Sequence, residues 1–128
     1  MDNPPKYNWE GKTILIAEDV SHNFKFLRFA LEPTHVTIVW AKNGQEAIDI
    51  CEKDNSVDLV LMDINMPVMN GYKAIKLIKA LDRNIPIITQ TAYAFEGERE
   101  KSFEAGSDDY ILKPIQVAEL LKKVSKYL

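Results

Sequence analysis

The chain has 128 residues, 46% of them hydrophobic, and a formal net charge of −3 from 16 basic and 19 acidic residues. This length fits one domain with its own core, and the weakly acidic charge argues against sequence-independent nucleic-acid binding. One cysteine excludes an internal disulfide, and no apolar stretch suggests a membrane span or a signal peptide. We therefore expect a soluble cytoplasmic domain.

Five short apolar runs predict β-strands. They are rich in β-branched residues and almost uninterrupted by polar ones, which is typical of strands buried on both faces of a parallel sheet. Pro86 fits only near the start of the fourth run, where a missing N–H costs least. The five runs cover residues 13–17, 36–40, 58–62, 85–89 and 110–112.

Amphipathic segments separate these runs and predict helices. Ser21, Asn43 and Asn70 precede three of them as candidate N-caps, and Gly106 marks the end of the fourth. Segment 96–105 has few apolar anchors, so we expect it to be the most mobile helix. The apolar residues at helical spacing in the other four are Phe24, Leu27 and Leu31; Ala47, Ile48 and Cys51; Ile75 and Ile78; and Ala118, Leu121 and Val124.

The strict alternation of strands and helices predicts an α/β fold, with a parallel sheet covered by helices on both faces. Five units are too few for the eight-unit barrel, which leaves a doubly wound open sheet. We expect residues 1–11 to form an N-terminal leader or linker and residues 12–128 to form the single domain, with no output domain.

Polar residues follow four of the five predicted strands. Glu18 and Asp19 end the first, Asp63 the third, Thr91 the fourth and Lys113 the fifth. Ligand sites of doubly wound sheets form at the carboxyl ends of the strands. Strand ends are often polar only because they are exposed to solvent, but the combination of acidic residues with a lysine favours a binding site there. The second strand ends without an ionisable group, which suits a strand away from the site.

Three carboxylates in one cleft repel one another. A like-charge pair at about 4 Å costs about 4 kcal/mol at an effective dielectric constant of about 20, so we expect raised pKa values or a bound cation. Three acids and Lys113 leave a formal charge of −2, which a divalent metal ion balances. All-oxygen ligands favour Mg²⁺ over zinc.

A carboxylate beside Mg²⁺, a lysine and a hydroxyl group is suited to phosphoryl transfer, with an aspartate as the nucleophile that forms an acyl phosphate. Spacing alone allows either Asp19 or Asp63 in that role. We favour Asp63 because residues 65–67 break regular structure beside it and keep it approachable.

Four motifs resemble the receiver domain of two-component response regulators. They are ILIAED at 14–19, LMDINMP at 61–67 followed by Gly71, TA at 91–92 and LKP at 112–114. Each motif alone is weak, but four in order at family spacing, from about residue 12 to 128, are specific. The resemblance implies a flavodoxin-like sheet with strand order 2-1-3-4-5.

The same resemblance implies a role for each matched residue. Asp63 is the phosphoacceptor, assisted by Lys113, which pairs with the phosphate, and by Thr91, the switch hydroxyl. Mg²⁺ is bound by Glu18, Asp19, Asp63 and the backbone carbonyl of Asn65. Tyr110 is the switch aromatic residue. Pro67, Gly71 and Pro114 have structural roles, and the bond from Lys113 to Pro114 is often cis in this family.

The implied partner is a phosphohistidine on a sensor histidine kinase or a histidine phosphotransfer domain, with phosphorylation-dependent homodimerisation as a further option. The segment MPVMNGY at 66–72 is similar to receivers of hybrid sensor histidine kinases. The domain is then a signalling module that assists its own phosphorylation and dephosphorylation rather than an enzyme, and it contacts neither nucleic acid nor membrane. Its location is cytoplasmic, or the cytosolic part of a membrane-anchored hybrid kinase.

Three other functions stay open. An intermediate phosphorelay receiver would pass its phosphate onward to a histidine phosphotransfer protein. An aspartyl-phosphate phosphatase usually carries a second Asp two residues after the nucleophile, where this chain has Asn65. A flavin-binding module would have a Ser-, Thr- and Gly-rich loop after the first strand, where this chain has Glu18, Asp19 and Val20.

Two residues near the switch hydroxyl distinguish this chain. Gln90 stands directly before Thr91, where the family more often has an apolar residue, so we expect different packing beneath the switch. Tyr93 flanks the predicted path of the hydrolytic water, and we hypothesise that its bulk slows loss of the phosphate.

Overall fold

The computed structural model describes residues 7–66, 68–81, 84–92 and 96–128. Strands and helices alternate through them as predicted, and no helix among the described residues is long and apolar enough to cross a membrane. The elements are β1 Thr13–Ala17, α1 Ser21–Leu31, β2 Thr37–Ala41, α2 Gly44–Lys53, β3 Leu59–Asp63, α3 Gly71–Lys79, β4 Ile87–Thr91, α4 Glu96–Ala105, β5 Asp109–Leu112 and α5 Val117–Ser125, with a 3₁₀ turn at Glu32–Thr34.

The five strands form one parallel sheet in the order β2-β1-β3-β4-β5, which confirms the predicted doubly wound fold. The chain moves outward from β1 to β2 and then returns past β1 to β3. The carboxyl ends of β1 and β3 therefore flank the point where the strand order reverses, which is where such sheets bind ligands.

Two apolar layers hold the helices against the sheet. Side chains alternate along each strand, so Ile14 and Ile16 of β1 pack beneath α1 and α5 while Leu15 and Ala17 pack on the opposite face. The layer beneath α1 also contains the buried residue Trp9. The backbone N–H of Trp9 donates to the Thr34 carbonyl at 2.7 Å. Part of segment 1–11 is thus packed against the domain.

Two of the three predicted N-caps are confirmed. The side-chain oxygens of Asn43 and Asn70 accept hydrogen bonds from the N–H groups three residues onward, at 2.8 Å and 3.0 Å. The prediction for Ser21 is wrong by one position, since Val20 is the N-cap residue and makes no side-chain bond. Gly106 follows α4 with φ +115°, the left-handed conformation expected of a helix stop.

Three further details differ from the sequence pattern. In α5 the buried residues are Leu120 and Val124, whereas Ala118 is exposed, so the predicted apolar face is wrong at its first position. The edge strand β2 is only partly buried, and no strand in the described part of the chain pairs with its outer side. The strand β4 begins at Ile87, so Pro86 lies just before it and offers its carbonyl to Val60 at 3.0 Å.

The start of α3 packs directly against the end of β3. The N–H of Gly71 donates to the Ile64 carbonyl at 2.9 Å. A Cβ atom at position 71 would lie 2.6 Å from the backbone oxygen of Asp63 and 2.8 Å from Ile64 Cα. Only glycine permits this approach, and the contact fixes the backbone that carries the Asp63 carboxylate.

Candidate functional site

Three acidic side chains converge at the reversal point of the sheet. Ligand oxygens of Glu18, Asp19 and Asp63 all lie within 4.8 Å of one another. Glu18 has no exposed surface and Asp63 is 3% exposed, whereas Asp19 is exposed to solvent. The predicted cluster is therefore brought together, with two of its charges buried.

Lys113 places one positive charge against the two buried carboxylates. Its Nζ lies 3.2 Å from Asp63 Oδ1 and 3.8 Å from Glu18 Oε1. The backbone N–H of Lys113 donates to the Thr91 carbonyl at 2.8 Å, and the peptide bond to Pro114 is cis. The end of β4 and the turn after β5 thus hold the lysine over the cluster.

The environment of Glu18 raises the pKa of its carboxyl group to about 7. Burial is the main cause, and the negative charge of Asp63 adds to it, while Lys113 and the N–H of Val20 oppose the shift. The Val20 N–H donates to Glu18 Oε2 at 3.2 Å. The other oxygen, Oε1, is buried and has no hydrogen-bond partner among the described residues.

The carboxylate oxygens of this cluster suit a hard divalent cation. The cluster offers only oxygen ligands, Asp19 is exposed, and the buried Glu18 Oε1 accepts no hydrogen bond from any of the described residues. Asn65 lies beside the cluster, and its N–H donates to Asp63 Oδ1 at 3.3 Å. The predicted ligand role of the Asn65 carbonyl stays a prediction.

Replacing Glu18 by glutamine is expected to stabilise the metal-free protein above pH 7. Because the pKa of this carboxyl group is about 7 in the folded state and about 4.5, its ordinary value, in the unfolded state, the free energy of unfolding falls as pH rises between these values. Glu18→Gln abolishes this loss, so it should raise the free energy of unfolding by about 2 to 3 kcal/mol above pH 7 and change it little below pH 4.5. Urea denaturation in EDTA at several pH values measures it.

Glu52→Gln, an exposed substitution on α2, is the matched control and should leave the pH dependence unchanged. Glu18→Gln should also weaken Mg²⁺ binding, since it removes a carboxylate ligand. An equal or lower stability of Glu18→Gln in EDTA above pH 7 would contradict the assigned burial cost.

The two predicted switch residues lie in the neighbouring strands β4 and β5. Thr91 ends β4 and is 3% exposed. Tyr110 lies in β5 on the surface between α4 and α5, where its ring meets Phe103 edge-on at 6.1 Å. Arg99 and Lys123 place cationic groups 5.5 Å and 4.9 Å from its centre. Each such contact is worth about 0.5–1 kcal/mol at an exposed site.

Sequence reasoning missed a polar link between α3 and α4. The Tyr72 hydroxyl donates to the carboxylate of Glu98, which is only 6% exposed. Tyr72 ends the segment 66–72 that resembles hybrid-kinase receivers, but Glu98 belongs to no motif, and the polar sequence of α4 indicated only a lack of apolar anchors. Pro67 and Tyr93, which carried a structural and a shielding prediction, lie outside the described residues.

Comparison with known sequences identifies the family of this chain. The sequence model of the response regulator receiver domain matches residues 14–125. The polar-differentiation response regulator DivK of Brucella anthropi is 35% identical over 119 residues, which are 91% of this chain and 96% of DivK. Hybrid signal transduction histidine kinase I of Dictyostelium discoideum is 40% identical over 110 residues, which are 80% of this chain but 6% of that kinase.

Solved structures agree with the sequence comparison. The receiver domain of the Pseudomonas aeruginosa sensor histidine kinase PA1611, crystallised with a magnesium ion in its active-site cleft, is 34% identical with a TM-score of 0.84, covering 91% of this chain and 97% of that one. The Saccharomyces cerevisiae Ssk1 receiver domain, crystallised with the histidine phosphotransfer protein Ypd1, is 28% identical with a TM-score of 0.86, covering 92% and 89%. The chain therefore belongs to the response regulator receiver domain family.

Proposed function

We propose that this receiver domain accepts a phosphoryl group from a phosphohistidine onto Asp63 in a Mg²⁺-dependent reaction. One observation carries the proposal: the Asp63 carboxylate is buried at the reversal point of the sheet, 3.2 Å from Lys113 and within 4.8 Å of two further carboxylates. A buried acid in that position combines a nucleophile with the charges that phosphoryl transfer needs.

The transfer exchanges one bond for another. A carboxylate oxygen of Asp63 attacks phosphorus as the P–N bond to the donor histidine breaks, and the bonding electrons leave with the imidazole. Lys113 faces the negative charge that develops on the phosphoryl oxygens. Glu18, Asp19, Asp63 and the Asn65 carbonyl would hold Mg²⁺, which would supply further charge neutralisation there.

The donor is a sensor histidine kinase or a histidine phosphotransfer domain. The complex of the similar Ssk1 receiver with Ypd1 supports a donor of this class, and the identity with a hybrid histidine kinase supports a place within a phosphorelay. Onward transfer from Asp63 to a second histidine is the alternative direction of flow. Asn65, in place of an aspartate, continues to argue against a phosphatase.

Phosphorylation shifts the balance between two conformations of the surface formed by α4, β5 and α5. A phosphate oxygen on Asp63 accepts a hydrogen bond from the Thr91 hydroxyl, which draws the end of β4 inward. Tyr110 then leaves its position between Arg99 and Lys123 and turns toward the space behind Thr91. The contact between Tyr72 and Glu98 holds α4 in its present position.

Replacing Thr91 by alanine is expected to separate phosphorylation from switching. Asp63 keeps its nucleophilic surroundings, so phosphate still accumulates, but the response of Tyr110 falls by about tenfold because the hydrogen bond to phosphate is lost. NMR of the Tyr110 ring with and without acetyl phosphate measures the response. Thr37→Ala, exposed on β2, is the control. An undiminished Tyr110 response in Thr91→Ala would contradict the proposed coupling.

Beryllofluoride tests the proposed function because it mimics an acyl phosphate on a carboxylate. With Mg²⁺ it should perturb NMR signals of residues 63–66, 91 and 110 in the wild-type chain and leave those of Asp63→Ala unchanged. Asp49→Ala, on α2, should respond like the wild type. No Mg²⁺-dependent response in the wild type, or the same response in Asp63→Ala, would refute the function.

A further inference from the structure

A cleft of about 280 Å³ opens between α1 and the turn after β5. Its walls are mainly apolar, and Glu18 and Lys113 line it as well, so it adjoins the acidic cluster. Small-molecule sites have volumes of roughly 300–1,000 Å³ and combine apolar walls with a few polar groups. The apolar lining residues are Phe26, Leu27, Pro114 and Ile115.

Gln90 is one of the polar residues that line this cleft, together with Glu18, Asn23 and Lys113. Its side chain lines the cleft and is 1% exposed, yet neither Oε1 nor Nε2 has a hydrogen-bond partner among the described residues. An unsatisfied buried donor or acceptor costs about 1–3 kcal/mol. An apolar side chain at this position of β4 would avoid that cost, so the unpaired amide destabilises the folded domain.

We infer that the cleft binds a small neutral molecule whose carboxamide or lactam edge pairs with the Gln90 amide. A ligand edge of that kind presents one donor and one acceptor side by side, which matches Nε2 and Oε1 together. The rest of the ligand is apolar and packs against Phe26 and Ile115. A ligand of this class satisfies both buried atoms at once.

Charge selects a neutral ligand over a carboxylic acid of the same shape. The three clustered acids outnumber the one lysine beside the cleft, and Lys113 already lies 3.2 Å from Asp63 and 3.8 Å from Glu18. An anion entering the cleft is therefore repelled by the acidic cluster that adjoins it. This binding needs neither metal ion nor phosphate donor, so its test stands apart from that of phosphorylation.

Benzamide is a suitable probe because it joins an amide edge to a small apolar ring. Titrated into the metal-free full chain, it should shift the methyl NMR signals of Leu27 and Ile115 saturably at millimolar concentration and show intermolecular contacts to them. Gln90→Leu should weaken binding about tenfold, since two hydrogen bonds are lost. Gln45→Leu, exposed on α2, should bind benzamide like the wild type.

Two related probes separate the contributions of the amide and of charge. Toluene, which lacks the amide edge, should bind Gln90→Leu at least as tightly as the wild type, and benzoate should bind the wild type more weakly than benzamide. The inference is overturned if benzamide gives no saturable shifts at Leu27 and Ile115, or if Gln90→Leu binds it as tightly as the wild type. Intermolecular contacts in the wild type decide the first point even if Gln90→Leu does not fold.

Discussion

Replacing Lys113 by glutamine is expected to slow phosphorylation of Asp63 by acetyl phosphate about 100-fold, the usual effect of removing one group that stabilises transition-state charge. Lys113 Nζ is 3.2 Å from Asp63 Oδ1, close enough to face the oxygens of a phosphoryl group that arrives there. Glutamine keeps a hydrogen-bond donor but removes the positive charge. Intact mass spectrometry over time gives the rate.

Lys123→Gln is the matched control. Lys123 is a second partly buried lysine that pairs with an aspartate, 3.5 Å from Asp109 Oδ1, but it lies on the surface around Tyr110 and outside the acidic cluster. Its substitution should change the phosphorylation rate less than about twofold, because a partly exposed ion pair contributes little energy. A phosphorylation rate for Lys113→Gln within a few-fold of the wild-type rate would show that the charge of Lys113 does not assist the reaction.

Replacing Gly71 by alanine is expected to destabilise the domain by about 2 to 3 kcal/mol. The new Cβ would lie 2.6 Å from the Asp63 carbonyl oxygen and 2.8 Å from Ile64 Cα, both of which are backbone atoms that cannot rotate away. The start of α3 must move outward, and Asp63 moves with the chain it adjoins. We therefore also expect slower phosphorylation. Urea denaturation measures the free energy of unfolding.

Gly11→Ala provides the comparison for a glycine without steric contacts. Apart from its chain neighbours, none of the described residues lies within 4 Å of a Cβ built at position 11, although φ is +85°. Its substitution should cost only about 1 kcal/mol, the price of the left-handed conformation. Equal losses in the two variants would show that the contact between α3 and β3 is not tight.

The fold and the acidic cluster could be predicted because both follow from strong local patterns. Continuous apolar strands alternating with helices permit few topologies, and parallel strands deliver the residues at their carboxyl ends to one edge. Glu18, Asp63 and Lys113 therefore lie together although 95 positions separate the first from the last. The capping Asn43 and Asn70 were predictable for the same reason, since they act within three residues.

The remaining features depend on tertiary packing, which no local pattern encodes. Whether Ala118 or Leu120 faces the core depends on how α5 is rotated over the sheet. Trp9 is buried because the chain before β1 folds back toward Thr34. The sequence shows Gln90 as a departure from the family pattern, but only the positions of α1 and the turn after β5 show that its amide is buried without a partner among the described residues.

The most direct measurement locates the phosphoryl group itself. The wild-type chain is incubated with acetyl phosphate and Mg²⁺, the acyl phosphate is reduced with borohydride, and the modified residue is identified by peptide mass spectrometry. We predict one phosphoryl group per chain, on Asp63, that is absent in EDTA and in Asp63→Asn but present in Asp49→Asn. No Mg²⁺-dependent mass gain in the wild type, or an equal gain in Asp63→Asn, would contradict Asp63 as the phosphoacceptor.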